Sequence, residues 1–221
     1  LFGMSYLYGV TGETGVAAVG RALTAAHPGT PFMVMVSLFV MAGFGYKIAS
    51  VPFHMWCPDV YEGAPTPITA FLSLGPKAAG FAMMIRFFKV SFIDAASGTL
   101  SLGSWVSFPG FEWNQVLAII SVLTMTLGNL VAIWQNNLKR LLAYSSIAHA
   151  GYMLLGVVVL SNEGIAAVMI YFVIYLFMNL GAFYTVMIVA NRIGSEDIDA
   201  YKGLGYRSPL VGIAMTVFLL S

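Results

Sequence analysis

Five apolar runs, over residues 32–56, 67–88, 114–135, 142–160 and 165–191, confine this chain more tightly than any motif within it. A membrane span needs about 20 predominantly apolar residues to cross the hydrocarbon core. Lipid offers no partner to a backbone N–H or C=O, so a run that crosses it must satisfy its own polar groups as a helix. The chain therefore reads as an all-α polytopic transmembrane helix bundle, a single domain over residues 1–221. Residues 1–10 read as the tail of a further helix. Residues 11–31 form a loop whose Gly15–Ala26 portion lies as a short interfacial helix. The run from Pro209 to Ser221 is too short to cross a bilayer, so the chain is expected to be an internal piece of a longer protein.

Composition removes the main competitors. Hydrophobic residues make up 59% of the chain and charged ones 9%, where soluble domains carry about 25% charged residues. Mean hydropathy is +0.87. A net charge of +1 leaves no footprint for nucleic acid. Cys57 is the single cysteine, so neither a disulfide framework nor a cysteine-based metal site is expected. His27, His54 and His149 lack ligand spacing, and no signal peptide, nucleotide loop or nucleophile elbow is visible. Lys139, Arg140, Arg192, Lys202 and Arg207 fall on one side of the predicted membrane, and Arg21, Arg86 and Lys89 on the other. That excess places the Asp59–Glu62 loop in the cytoplasm.

Charges inside the spans are where function is sought, because a lysine at the bilayer centre costs roughly 2.5–3.5 kcal/mol. Lys47 lies nine residues before Trp56, and Lys77 ten after Pro67. At 1.5 Å per residue both stand about 14–15 Å from one membrane face, near the midplane. Each has a proline close by. Pro52 lacks an N–H and crowds the carbonyl of Ile48, and Pro76 does the same at Leu72, giving two helix breaks beside two lysines. Burial disfavours an ammonium, a second cation pushes the same way, and a carboxylate opposes both. Such lysines hold or release a proton according to their partners. The competing explanation is structural, each lysine paired with a carboxylate from elsewhere.

A polar stripe runs beside them. Ser145, His149 and Tyr152 share one helix face, and Tyr171, Tyr175 and Asn179 line the next helix. The stripe is either interhelical hydrogen bonding or a hydrated proton wire, with His149 exchanging protons because an unperturbed imidazole titrates near 6.5. His54 reads as a loop residue or a relay on the proton-uptake side. Lys139 and Arg140 read as orientation anchors, and Asp59 and Glu62 as the shapers of a solvated turn.

Two blocks carry a family resemblance. The first runs from Lys47 through Val51-Pro52-Phe53-His54-Met55-Trp56 and Pro58-Asp59-Val60-Tyr61-Glu62-Gly63-Ala64-Pro65-Thr66-Pro67 to Pro76-Lys77-Ala78-Ala79. The second is the stretch from Asn137 to Tyr152, including Lys139-Arg140-Leu141-Leu142-Ala143-Tyr144-Ser145-Ser146-Ile147-Ala148-His149. Together they resemble the antiporter-like subunit N family (subunit 2 in mitochondria) of respiratory complex I, the proton-pumping NADH–quinone oxidoreductase. The resemblance implies a parent fold of two inverted repeats of five helices with discontinuous helices. It implies proton relay by Lys47, Lys77 and His149, and an acidic partner for Lys47 outside this stretch. It implies membrane-subunit partners, a bacterial or organellar inner membrane, and no cofactor in this chain, with NAD, FMN, iron–sulfur clusters and quinone in other subunits. A cation/proton antiporter or membrane-bound hydrogenase subunit is the alternative within this class. A passive membrane scaffold is the alternative outside it.

Overall fold

A computed structural model describes residues 1–93, 105, 107 and 112–220. Among these residues ten α-helices follow in order: α1 (Phe2–Thr11), α2 (Val16–Ala26), α3 (Thr30–Ile48), α4 (Trp56–Gly63), α5 (Thr66–Ser91), α6 (Trp113–Ile133), α7 (Leu138–Val158), α8 (Asn162–Ile193), α9 (Leu204–Arg207) and α10 (Pro209–Leu220). A 3₁₀ turn, Ile198–Tyr201, precedes α9. Five of them, α3, α5, α6, α7 and α8, are long and apolar enough to cross a membrane. The Ser/Gly-rich loop expected around Pro109 lies largely outside the described residues.

The first expected span, 32–56, is corrected. Helix α3 stops at Ile48, four residues before Pro52, and α4 begins only at Trp56. The stop is a Schellman reversal: Ala49 sits at φ 59°, Ser50 N–H donates to the Gly45 carbonyl, and Ala49 N–H to that of Tyr46. This reversal consumes the terminal carbonyls before the proline is reached, so Pro52 sits inside a break and does not kink a continuous helix. The break is satisfied by protein, as backbone at membrane depth must be. Val51 N–H donates to Thr124 Oγ1 of α6 at 3.0 Å, Phe53 N–H to the Ser50 carbonyl at 2.7 Å, and Trp56 Nε1 to the Tyr46 carbonyl at 3.0 Å. Pro76 behaves differently, because α5 runs through it as one helix.

Helix α7 begins four residues before the expected span. Asn137 Oδ1 accepts from Lys139 N–H and Arg140 N–H at 2.9 and 3.2 Å, a side-chain cap that draws the charged pair into the first turn. Helices α6 and α7 form the closest-packed pair, joined by a short turn. A Cβ on Gly128 would lie 2.7 Å from the Ala148 backbone nitrogen, and one on Gly151 2.8 Å from that of Met125. Small residues let two membrane helices approach to backbone contact, and Ser121 Oγ donates to the Gly151 carbonyl at 2.6 Å across the seam. Helix α5 packs between α3 on one side and α7 and α8 on the other. Helix α2 is held to the end of α5, where Ser91 Oγ donates to the Val16 carbonyl at 3.0 Å.

Candidate functional site

Lys77 lies eleven residues into the 26-residue α5, roughly 17 Å along its axis at 1.5 Å per residue. It is 1% exposed. Its Nζ donates to the Ser146 carbonyl at 2.8 Å and to Ser146 Oγ at 2.5 Å, both across to α7. An ammonium carries three donors, so two are engaged. No carboxylate is bonded to it among the described residues. Desolvating an ammonium costs several kcal/mol even after relaxation, while a hydrogen bond to a charged group returns roughly 1.5–3 kcal/mol. Ser146 therefore offsets much of the cost without fixing the charge as a carboxylate would.

Around this lysine the polar stripe assembles in part. Tyr175 is 2% exposed and Asn179 3%. Asn179 Nδ2 donates to Tyr175 Oη at 3.1 Å and to Ser73 Oγ on α5 at 2.6 Å. His149 Nδ1 lies 2.6 Å from Tyr171 Oη, and its ring centroid 5.1 Å from that of Tyr175. Lys77, Ser146, His149, Tyr171, Tyr175, Asn179 and Ser73 thus form one polar seam where α5, α7 and α8 meet. Two expected members are placed differently: Tyr152 packs edge-on against the His149 ring at 5.9 Å between centroids, on the α6 side of the seam, and Ser145 does not reach Lys77. Tyr152 is 39% exposed and accepts from Asn129 Nδ2 of α6 at 2.8 Å. Ser145 is half-buried, and its neighbour Ser146 is the serine that meets Lys77. A one-residue step turns a helix by about 100°, so the face drawn through His149 missed the face aimed at α5. The signal lay in Ala143, Ser146 and Ala150, small residues on one face that admit a neighbour's long side chain.

Lys47 is corrected from buried to exposed in this chain. It forms no ion pair among the described residues. It lines a groove of about 570 Å³ with Leu1, Val40, Phe44, Arg86 and Phe87. Its stem lies against α5, since a Cβ on Gly80 would stand 3.1 Å from Lys47 Cγ. Gly80 is three residues past Lys77, about 4.5 Å along the axis. The two lysines therefore meet α5 within one helical turn of each other.

His54 lies in the break between α3 and α4. Partial burial pushes its imidazole below the ordinary value, with the Pro52 carbonyl opposing. Among the described residues it forms no hydrogen bond or ring contact with the Lys77 seam. The charged residues expected as anchors and turn-shapers are instead joined into a clasp at the start of α7. Lys139, 6% exposed, pairs with Glu196 at 2.9 Å and donates to the Ala64 carbonyl at 3.0 Å. Arg140 reaches Asp59 and Glu62 of α4, at 2.7 Å each. Glu196 and Ile198 add backbone bonds to Leu138 and Asn136. The Asp59–Glu62 segment is therefore a helix held to α7, where a solvated turn was expected. The two halves of the clasp differ in weight. Lys139→Met is expected to cost about 2 kcal/mol, because Glu196 is left 28% exposed with its partner gone. Arg140→Met is expected to cost under about 1 kcal/mol, since its partners are 72% and 43% exposed. Thermal unfolding of the purified parent protein measures both; equal losses would contradict this ranking.

The family model for the NADH:quinone oxidoreductase/Mrp antiporter transmembrane region matches residues 1–221. The NADH-quinone oxidoreductase subunit N 2 of Chloroherpeton thalassium is 50% identical over 221 residues, covering 100% of this chain and 42% of that protein. A solved respiratory complex I from Thermus thermophilus contains a chain 32% identical, with a TM-score of 0.68, covering 100% of this chain and 43% of its own. A chain of an archaeal membrane-bound sulfane sulfur reductase matches in fold, with a TM-score of 0.82 at 24% identity over 98% of this chain and 42% of that one. The chain thus spans less than half the length of the relatives it matches.

Proposed function

This chain belongs to the NADH:quinone oxidoreductase/Mrp antiporter transmembrane family, and from that membership we propose that it is the proton-translocating core of a subunit N of respiratory complex I. The observation that carries the reading is Lys77: a fully buried amine, bonded among the described residues to Ser146 alone, at the head of a seam of titratable and hydroxyl groups. A group placed so holds a proton by neutral acceptors only, and neighbouring charge decides whether it stays. A scaffold gains nothing from that placement, which costs stability. Subunit N is favoured over an antiporter subunit because relatives at 50% and 52% identity carry that name.

In this reading Lys47 takes protons on the groove side of α5, and Lys77 passes them along the α7–α8 seam toward His149 and Asn179. The remainder of the longer protein supplies an acidic partner for Lys47 across its open groove. Electron transfer from NADH to quinone takes place in other subunits, and its free energy drives the relay from outside this chain. The partners are the other membrane subunits of that complex, in a bacterial inner membrane.

Lys47→Ala in the full-length protein is expected to leave the complex assembled on native gels while proton uptake coupled to quinone reduction falls to roughly a hundredth of wild type, the low end of what a positioned proton-transfer group contributes. Gly80, on which the lysine stem rests, supports a shortened side chain without a new clash. Wild-type uptake by an assembled Lys47→Ala complex would remove Lys47 from the path.

A further inference from the structure

Lys139 opens α7 on the face that also carries Ser146, and no step of the relay described above uses it. It is the second residue of the helix and 5% exposed. Its Nζ donates to the Ala64 carbonyl at 3.0 Å, in the turn between α4 and α5. The same carbonyl accepts from Thr69 Oγ1 at 3.4 Å, and Thr69 N–H donates to the Pro65 carbonyl at 3.0 Å. Ala64 is therefore fixed to the first turn of α5. Ser146 stands seven residues after Lys139, two turns or about 10 Å along α7, on the same face. Helices α5 and α7 start at one membrane face and run in the same direction. The Lys77 side chain leans back toward the start of α5, as helical side chains do, and its Nζ donates to the Ser146 carbonyl and hydroxyl at 2.8 and 2.5 Å. The two lysines thus bridge the same pair of helices in opposite senses, Lys139 from α7 to the start of α5 and Lys77 from α5 to α7. Ala70 and Ala143 lie between these rungs in sequence and pack in one buried apolar cluster.

We propose that Lys139 is a positioning residue for Lys77: by holding the first turn of α7 to the Ala64 carbonyl, it sets the rotation and height at which Ser146, and not Ser145, meets the Lys77 amine. A step of one residue turns α7 by about 100°, so a modest rotation or slide of this helix takes Ser146 away from Lys77. Apolar contacts are non-directional and resist such a slide weakly, whereas a hydrogen bond from an ammonium to a carbonyl has a preferred length and angle. Glu196 aims that ammonium. Its carboxylate pairs with Lys139 Nζ at 2.9 Å, and its backbone carbonyl accepts from Leu138 N–H at 2.9 Å. Glu196 belongs to the linker from α8 to α10, so one amine joins this linker, the α4–α5 turn and α7. A shift of the linker is carried along α7 to Ser146. Arg140 holds α4 as well, but through exposed carboxylates, where solvent screening leaves little directing force.

This inference rests on the proton-relay reading, and the test separates the two. Proton uptake and quinone reduction are measured on the same vesicles of the full-length complex, and their ratio is the readout. Lys139→Met is expected to lower that ratio about tenfold, the equivalent of a hydrogen bond to a charged group at its weaker end. Imaging of the variant is expected to show Ser146 drawn away from Lys77 Nζ. Lost stability alone removes complex and lowers both rates together, leaving the ratio at its wild-type value. Glu196→Gln keeps the length of the side chain and removes only its charge, and is expected to lower the ratio about threefold, the scale of one net hydrogen bond. It decides the matter where Lys139→Met does not assemble. If Lys77→Met pumps like wild type, the relay reading fails and this inference with it. If Lys77→Met is inactive while Lys139→Met, or Glu196→Gln in its place, keeps the wild-type ratio, the relay stands and Lys139 returns to the role of an anchor.

Discussion

Lys77→Arg is expected to leave the complex assembled and abolish most of its coupled proton uptake. A guanidinium retains its charge at any pH a protein survives, so it reproduces the cation of Lys77 without its capacity to release a proton. Arginine also adds bulk at a site 1% exposed, so a second variant is needed to separate volume from chemistry. Lys77→Met keeps the length and shape of the side chain and removes both charge and proton. If Lys77 is a relay, both variants assemble and both pump at roughly a hundredth of the wild-type rate or less, by the scale of positioned acid–base groups. If a fixed positive charge were its whole role, arginine would pump near the wild-type rate and methionine would not. Methionine spares Ser146 the approach of an ammonium, so assembly should hold or improve. Proton uptake in vesicles, with quinone reductase activity measured on the same preparation, reads the outcome. Near-full pumping by the arginine variant would return Lys77 to a structural role.

Gly128→Val is expected to be the most damaging change for folding. The nearest atoms to a Cβ at this position are backbone: Ala148 N at 2.7 Å and Ala148 Cα at 3.0 Å. Neither can rotate away as the end of a flexible side chain would, so α6 and α7 must separate. That separation stretches the Ser121–Gly151 bond and moves the α7 segment that carries Ser146 and His149. Overpacking of this kind costs about 3 kcal/mol or more where the backbone itself must shift. A graded series tests it: Gly128→Ala should lower the unfolding temperature of the parent protein, and Gly128→Val should leave the subunit missing from the complex on native gels. An assembled, thermally normal Gly128→Val complex would mean that the close approach of α6 and α7 is not needed for folding.

Hydropathy alone revealed that this chain is a bundle of membrane-crossing helices. The reason is that lipid leaves a spanning backbone no alternative to its own hydrogen bonds. The level shared by Lys47 and Lys77 was legible too, because rise per residue converts spacing directly into depth. So was the shared face of Tyr171, Tyr175 and Asn179, since helical periodicity puts residues four apart on one side. What spacing could not decide was where α3 ends. Pro52 is the obvious breaker in the sequence, but the reversal at Ala49 depends on Thr124 of α6 and on bonds within the break to receive the freed backbone. Nor could it choose Ser146 over Ser145, a choice made by the rotation of α7 against α5. The clasp of Lys139 and Arg140 pairs residues 57 to 81 positions apart in sequence, such as Lys139 with Glu196 and Arg140 with Asp59, and only packing sets those distances. Local propensity and periodicity determine which residues face one side of a helix. What each face meets is decided by neighbouring helices, whose rotation and approach are set by small residues such as Gly80, Gly128 and Gly151 working across the whole bundle.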